Sequence, residues 1–385
     1  MTWKRNDVNY KYIKIYRDIL LISGVFLFIF DQHVLFVIII FLLCFVLIQL
    51  LYFQKVGSGL TFVNEKKRVR LMKGTTSHFE LTFKNKGMPI WNGTITIAFH
   101  DSVAPVRANN ISSSGFFEVN VPFSIGYNKT VTIQVPIVGS RRGLSRFRGI
   151  DINIPHPLTE GSIILNYQPY ILMDAMVYPT IYPIKEEFLP TRLKPGELEL
   201  NSSLFVDPFF PIGTREYEQG DQFNHIHWKA SARTQQLQTK IFTKVTNVSV
   251  LFLVNLADGY RMVHDFEEKI EWLASNVEAC YKANVPFGFG LNIRASGKRP
   301  FVFVPLGSGD VHRLNALELL SILSVSNITI PFENIIKYID SHEEMPVSVR
   351  VFSHNMEKYH SILTPWEQKA NVTYLTEQEE GDYVK

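Results

Sequence analysis

The sequence predicts a chain in three parts: an N-terminal transmembrane helical hairpin, an antiparallel β-sandwich, and an α/β domain of the doubly wound, Rossmann type. Three observations carry this. Residues 34–53 form a long apolar run. Residues 60–183 hold short alternating stretches with no helical period. From residue 248 a continuous apolar strand is followed by an apolar helix face and then by further strands. The expected divisions fall at 1–55, 56–185 and 186–385.

Residues 34–53 read VLFVIIIFLLCFVLIQLLYF, with Gln49 the one strongly polar residue. As a helix the run spans about 30 Å, the thickness of a hydrocarbon core. Residues 19–30 are apolar for only 12 positions, too few alone. A first span of about residues 12–30 becomes long enough if Lys14 and Arg17 snorkel to the headgroups. Asp31, Gln32 and His33 then form the turn. The alternative is one span preceded by an amphipathic helix. Lys4, Arg5, Lys11, Lys14 and Arg17 precede the pair; Lys55, Lys66, Lys67, Arg68 and Arg70 follow it; the turn has no Lys or Arg. The positive-inside rule puts both chain ends in the cytoplasm, so the expected location is the cell membrane, multi-pass. The apolar stretch is too long for a cleaved signal peptide, and no small-residue cleavage site follows. In a cytoplasmic domain the seven Asn-x-Ser/Thr sequons are chance matches.

Composition narrows the classes. Residues 54–385 carry 34 basic and 33 acidic residues, which leaves no unopposed cationic face for nucleic acid. A chain with 19% charged and 13% aromatic residues is not disordered. The two cysteines, Cys44 in the apolar run and Cys280 far beyond it, give neither a disulfide framework nor a cysteine-based zinc site.

In the second part, residues 79–83 and 94–99 alternate apolar and polar, with an Asn85-Lys86-Gly87 turn between them, and residues 131–138 and 162–167 add strands. Short strands separated by Gly, Asn and Pro predict the sandwich. Nothing in it points to catalysis, so an interaction or spacer module is expected. In the third part, residues 248–254 (VSVLFLV) read as a strand buried on both faces. Phe266, Ile270, Leu273, Val277 and Cys280 share one helix face. Residues 285–293 and 301–304 are strands. Asp310 is a candidate N-cap for a helix carrying Val311, Leu314, Leu317 and Leu320 or Leu323. Residues 347–352 and 372–375 supply further strands. Ligands in such folds sit at the carboxyl ends of the strands, here 255–259.

Residues 215–233 (REYEQGDQFNHIHWKASAR) are the least generic stretch. His225 and His227 would share a strand face near Asp221, a candidate metal set that lacks a convincing further ligand. Lys229, Arg233 and Lys240 form a candidate anion site. The plainer expectation is a buried polar clasp, with Asp221 paired to Arg215 or Arg233 and Trp228 packed over them to lock the two soluble domains together.

The spacing of Arg215, Tyr217, Gly220, Asp221, Ile226, Trp228, Lys229, Ser231, Ala232 and Arg233 resembles the signature of the bacterial domain-of-unknown-function family 58. Arg141-Arg142-Gly143 followed by Gly149, Tyr178-Pro179 and the apolar N-terminus agree with it. The resemblance implies a membrane-anchored protein with a β-sandwich and a von Willebrand factor A-like domain. It also implies as partners a MoxR-type AAA+ ATPase and a membrane transglutaminase-like protein. Gln222 stands where members often carry a second Asp. Von Willebrand A domains hold a divalent cation with D-x-S-x-S at the first strand end. Asn255, Ala257 and Gly259 occupy those places, with Asp258 one residue out of phase, so the resemblance implies a lost cation site and no cofactor.

No P-loop, Gly-x-Ser-x-Gly, His-Glu-x-x-His or Gly-x-Gly-x-x-Gly occurs. Gly288 and Gly290 lie inside an apolar strand, where close packing explains them. Cys280 falls on an apolar face and is expected inert. Glu186, Glu187, Glu377, Glu379, Glu380 and Asp382 read as solvated charge. The expected function is a non-enzymatic, cytoplasm-facing scaffold or adaptor on the lipid bilayer. The alternative is a metal-dependent or hydrolytic enzyme centred on Asp221, His225 and His227.

Overall fold

The structure, a computed structural model, describes residues 2–8, 11–30, 32–106, 115–156, 161–184, 206–244, 249–258, 261–297 and 299–375. The chain divides into two compact units, Met1–Thr180 and Ile181–Lys385.

The first unit opens with a strand, Trp3–Val8 (β1), and two helices, Lys11–Ile29 (α1) and His33–Lys55 (α2). The helices run antiparallel along each other. Phe28 lies 5.5 Å from Phe36 beside the turn, and Ile13 is buried with Val46 and Leu50 at the far end. Among the described residues, α2 is the one helix long and apolar enough to cross a membrane. Its side chains face outward along most of its length, as in a span and unlike a core helix.

Ten strands follow: Leu60–Phe62 (β2), Arg68–Met72 (β3), Thr76–Asn85 (β4), Ile90–His100 (β5), Val103–Pro105 (β6), Phe116–Ile125 (β7), Lys129–Gly139 (β8), Gly143–Pro155 (β9), Ser162–Tyr167 (β10) and Asp174–Tyr178 (β11). One sheet has the order β2-β4-β8-β6. The other runs β1-β10-β9-β11-β3, with β5 also on β9 and β7 beyond it. Pairing is antiparallel except for β11 with β3. The two-residue period sets the packing: Phe79, Leu81 and Phe83 of β4 point inward and meet Ile95, Ile97, Ile150 and Ile152 of the other sheet in one core.

Residues 3–8, expected as part of the anchor, instead form an edge strand of the sandwich, paired to β10 from Trp3↔Tyr167 to Val8↔Ser162. Phe53 and Val56, at the end of α2, are buried in the sandwich core. The Arg5 guanidinium donates to the carbonyls of Phe53, Gln54 and Val56, capping the helix C-terminus with a cation where the dipole is negative. The end of α2 and the sandwich are thus packed together in one unit.

The second unit starts with Val206–Glu216 (β12), which pairs antiparallel with Gln238–Lys244 (β13) around a short helix, Trp228–Thr234 (α3). Then come Val250–Val254 (β14), Ala257–Asp258 (β15), Arg261–Met262 (β16), Phe266–Lys282 (α4), Phe287–Arg294 (β17), Phe301–Gly307 (β18), Asp310–Ile322 (α5), Phe332–His342 (α6), Ser348–Phe352 (β19), Glu357–Glu367 (α7) and Asn371–Leu375 (β20). The main sheet has the order β18-β17-β14-β19-β20. It is parallel except for β18, an antiparallel edge strand the sequence reading did not distinguish. α6 and α7 cover one face through Ile335, Ile336, Ile339, Leu363 and Trp366. On the other face, Trp272 of α4 packs against Phe252 and Phe352.

The five α4 residues expected on one helix face are all buried. In α5 the expectation needs correction. Asp310 is the first helical residue, held by Arg313 at 2.6 Å, Gly309 caps without a side chain, and Val311 stands in solvent. Gly288 is required by close approach: a Cβ there would sit 2.7 Å from the Val304 carbonyl of the neighbouring strand.

Candidate functional site

The signature segment folds as a ribbon closed by α3. Its organising group is the Asp221 carboxylate. Arg215 Nη2 donates to Oδ1 at 2.6 Å; the Glu218 amide (3.1 Å) and the Thr239 hydroxyl (3.0 Å) donate to Oδ2. The Glu218 amide first, then Arg215, hold this carboxyl below its usual range. Gly220, at φ +122, takes the chain into the turn in a backbone conformation that side chains resist.

His227 caps α3. Its Nδ1 accepts the Ala230 amide at 3.0 Å, and its own amide donates to the Gln238 carbonyl at 2.7 Å. Ser231 is buried. Its hydroxyl donates to the His227 carbonyl and accepts the Gln238 amide at 2.8 Å, which stitches helix to ribbon. Ile226 is buried and bridges Thr239. His225 ends a 3-10 turn over Phe223–His225 and is half-buried. Tyr217 is half-buried, its amide donating to the Leu237 carbonyl at 2.9 Å.

The expected clasp is therefore corrected. Asp221 takes Arg215 as its partner, but the pair is not sealed: the Arg215 side chain is exposed and Trp228 is 64% exposed. Phe223 is 70% exposed, and Lys229, Ala232 and Arg233 also face solvent. Among the described residues, no three His, Cys, Asp or Glu side chains come together as a metal site, so Asp221, His225 and His227 are not assembled as one. The hydrogen bonds of Asp221, His227 and Ser231 fix the loop and helix, while Phe223, Trp228, Lys229 and Arg233 face outward.

The carboxyl end of the parallel sheet holds a second constellation. Asn255, at the end of β14, donates through Nδ2 to Ser353 Oγ (2.9 Å) and accepts at Oδ1 from Asn292 Nδ2 (2.8 Å) and the Ala257 amide (3.2 Å). Asn292 Oδ1 in turn accepts the Leu256 amide at 2.7 Å. Buried amides tie strand ends β14, β17 and β19 together. Ala257 is buried and offers no side-chain oxygen; Gly259 lies outside the described residues.

Beside them Lys269 is fully buried. Its Nζ lies 3.0 Å from Asp265 Oδ2, 2.6 Å from His354 Nε2 and 4.9 Å from the Phe352 ring centre. Burial pushes the Asp265 carboxyl up, but the Lys269 hydrogen bond and charge, with His354, leave it below the usual range. The sequence reading missed Lys269, Asp265, His354, Asn292 and Ser353. A signal was present: Lys269 falls three residues after Phe266 on the apolar face of α4, and Asn292 interrupts an apolar strand. A separate cleft of about 310 Å³ is lined by Leu251, Phe303, Pro305, Leu306, His342, Glu343, Glu344 and Pro346, none of them a sequence-predicted site residue.

Residues 213–341, from the ribbon through most of α6, match the model of the family described as "Protein of unknown function DUF58". The chain is also 33% identical over 159 residues to the uncharacterized protein YeaD of Bacillus subtilis (strain 168), over 34% of this chain and 37% of that protein. It thus spans little more than a third of that relative's length. Solved structures similar to it include the PapD-like domain 7 of human CEP192 (12% identity, 31% of this chain and 84% of that one, TM-score 0.17). Another is a β-glucosidase from Listeria innocua (12% identity, 31% and 15%, TM-score 0.16).

Proposed function

We propose that the chain is a membrane-anchored adaptor facing the cytoplasm, whose signature ribbon docks a protein partner. The observation that carries this reading is the outward presentation of Phe223, Trp228, Lys229 and Arg233 on a ribbon in which Asp221, His227 and Ser231 are hydrogen-bonded internally. Exposed aromatic and arginine side chains on a rigid support are what partner hot spots are made of. The partner class we assign is a MoxR-type AAA+ ATPase, with a membrane transglutaminase-like protein as a further component, in the assembly or maturation of envelope or protein complexes.

The anchor we assign is a two-span hairpin. In support, β1 precedes the helices and pairs with β10, and Arg5 caps the end of α2, so the residues before and after the helices share one side of the bilayer. An even number of crossings follows if α2 crosses at all. At 19 residues α1 is about 28 Å long, enough to return with Lys14 and Arg17 at the headgroups. The α/β domain we assign is von Willebrand A-like without a bridging cation. The amide network at Asn255 occupies the strand end where D-x-S-x-S would bind one, and the Lys269 ammonium supplies positive charge beside it.

The test is affinity purification of the full-length protein from detergent-solubilised membranes, with and without ATP. Recovery of an AAA+ ATPase that changes with nucleotide, and that is lost for a folded Trp228→Ala variant, is the expected result. A Trp228→Ala, Arg233→Ala double variant that keeps both its melting temperature and its full partner recovery would overturn the docking role.

A further inference from the structure

The end of the sandwich next to α2 carries a set of exposed side chains that the adaptor role does not use. The Tyr52 hydroxyl, in the last turn of α2, donates to the Pro89 carbonyl at 2.8 Å. Its ring stacks on Trp91, with centres 5.5 Å apart and planes at 8°. Leu51, one residue earlier, still faces outward, whereas Phe53 is sealed in the sandwich core. The apolar surface of the helix therefore stops at Leu51, and the Trp91 ring lies one side chain away.

Trp91 is 71% exposed, Tyr127 is 69% exposed, and Met88 also faces solvent. They belong to neighbouring hairpins held rigidly together. The buried Asn85 donates to the carbonyls of Met88 (2.9 Å) and Gly126 (3.3 Å) and accepts the Gly87 amide (3.0 Å); the Lys86 amide donates to the Gly59 carbonyl at 2.9 Å. Lys55, Lys86 and Lys129 are exposed in the same segments, and residues 51–59, 84–93 and 124–131 contain no Asp or Glu.

We propose that this rim is a docking surface for the lipid bilayer, with Trp91, Tyr127 and Met88 in the headgroup layer and Lys55, Lys86 and Lys129 against anionic lipid phosphates. The occupant follows from continuity and charge. The rim touches the last turn of the span, so it lies at the depth where that span leaves the hydrocarbon. There, rings with one polar edge are favoured and cations meet the negative surface potential. Two contacts, the span and the rim, fix the tilt of the sandwich. The inference rests on the reading of α2 as a span.

The test uses the full-length protein in nanodiscs of phosphatidylcholine, with or without phosphatidylglycerol, containing lipids brominated near the headgroup. The Trp91 signal is the emission difference between the wild type and Trp91→Phe, which keeps the stack on Tyr52. In parallel, Cys44, exposed midway along α2, is challenged with a water-soluble maleimide. With Cys44 protected, at least twofold quenching of the Trp91 signal, reduced by Lys86→Glu with Lys129→Glu in phosphatidylglycerol discs only, is the expected result. Cys44 protected with Trp91 unquenched would leave the span standing and overturn the rim. Cys44 labelled as fast as a free thiol would remove the span and the rim together.

Discussion

The Lys269 ammonium lies 3.0 Å from Asp265 Oδ2, one turn along α4 and wholly inside the protein. A lysine in that position is tolerated because groups such as the carboxylate, His354 and the Phe352 ring replace the water it has lost. Lys269→Met removes the cation and leaves Asp265, whose side chain is 10% exposed, without its counter-charge. The expected loss is about 3–5 kcal/mol in chemical denaturation. The pH dependence has a definite sign. Asp265 is held below its usual range, so its contribution is present above the unfolded carboxylate value of about 3.9 and is lost as the pH falls further. A variant as stable as the wild type at pH 7 would show that the pair is energetically idle.

Asn292→Leu is close to isosteric but silences a hub. The Leu256 amide loses its acceptor, and the Asn255 Oδ1 and Ile330 carbonyl lose a donor. With the site buried, the expected cost is about 2–4 kcal/mol. Added Mg²⁺ should not restore the melting temperature, because Ala257 brings no ligand oxygen. A rise in melting temperature with Mg²⁺ would mean that the strand end retains a cation site.

His156 is buried against the Phe53 ring, 4.1 Å between centres, and neither ring nitrogen has a partner among the described residues. Burial pushes its pKa down. Stability is therefore present above the unfolded value of about 6.5 and falls as the pH drops through it, since only the unfolded chain takes up the proton easily. His156→Phe should keep the ring stack, abolish this loss between pH 6.5 and 5, and stabilise by roughly 1 kcal/mol. Wild-type and variant melting curves that stay parallel across that range would refute the assignment.

Cys280 sits on the buried face of α4, and burial pushes its thiol up to about 12. In a Cys44→Ala background, alkylation by iodoacetamide at pH 8 should proceed only through unfolding, on the order of a thousandfold slower than in denaturant. Labelling at the rate of a free thiol would show that α4 opens locally.

Much of the architecture was legible because period and burial agree. The β4 alternation, the α4 face and the continuous β14 run each follow from which side chains must leave water. The signature motif was legible as a segment, and its Arg215–Asp221 pair as an alternative, but not the outward setting of Trp228. Solvent exposure of an aromatic depends on what packs nearby, which spacing alone does not encode. The antiparallel direction of β18 was hidden for a related reason: an apolar run such as FVFV carries no signal of strand direction. Residues 3–8 look like a polar leader to a membrane helix, and only a partner strand some 160 residues later makes them part of the sandwich.

That separation sets an order of events during synthesis. β1 leaves the ribosome first, yet Asn6 meets Asn166 only after β10 has been made. At about 5–20 residues per second the first strand waits roughly 8–30 s for its partner. Throughout that interval the β1 backbone lacks its sheet partner, and β1 can join the sheet only once residues 162–167 have been made. A nascent chain stalled before residue 162 would thus carry both apolar helices with an unpaired strand in front of them. Unpaired strand backbone is a template for association, so unfinished chains differ from completed ones in the edge they expose.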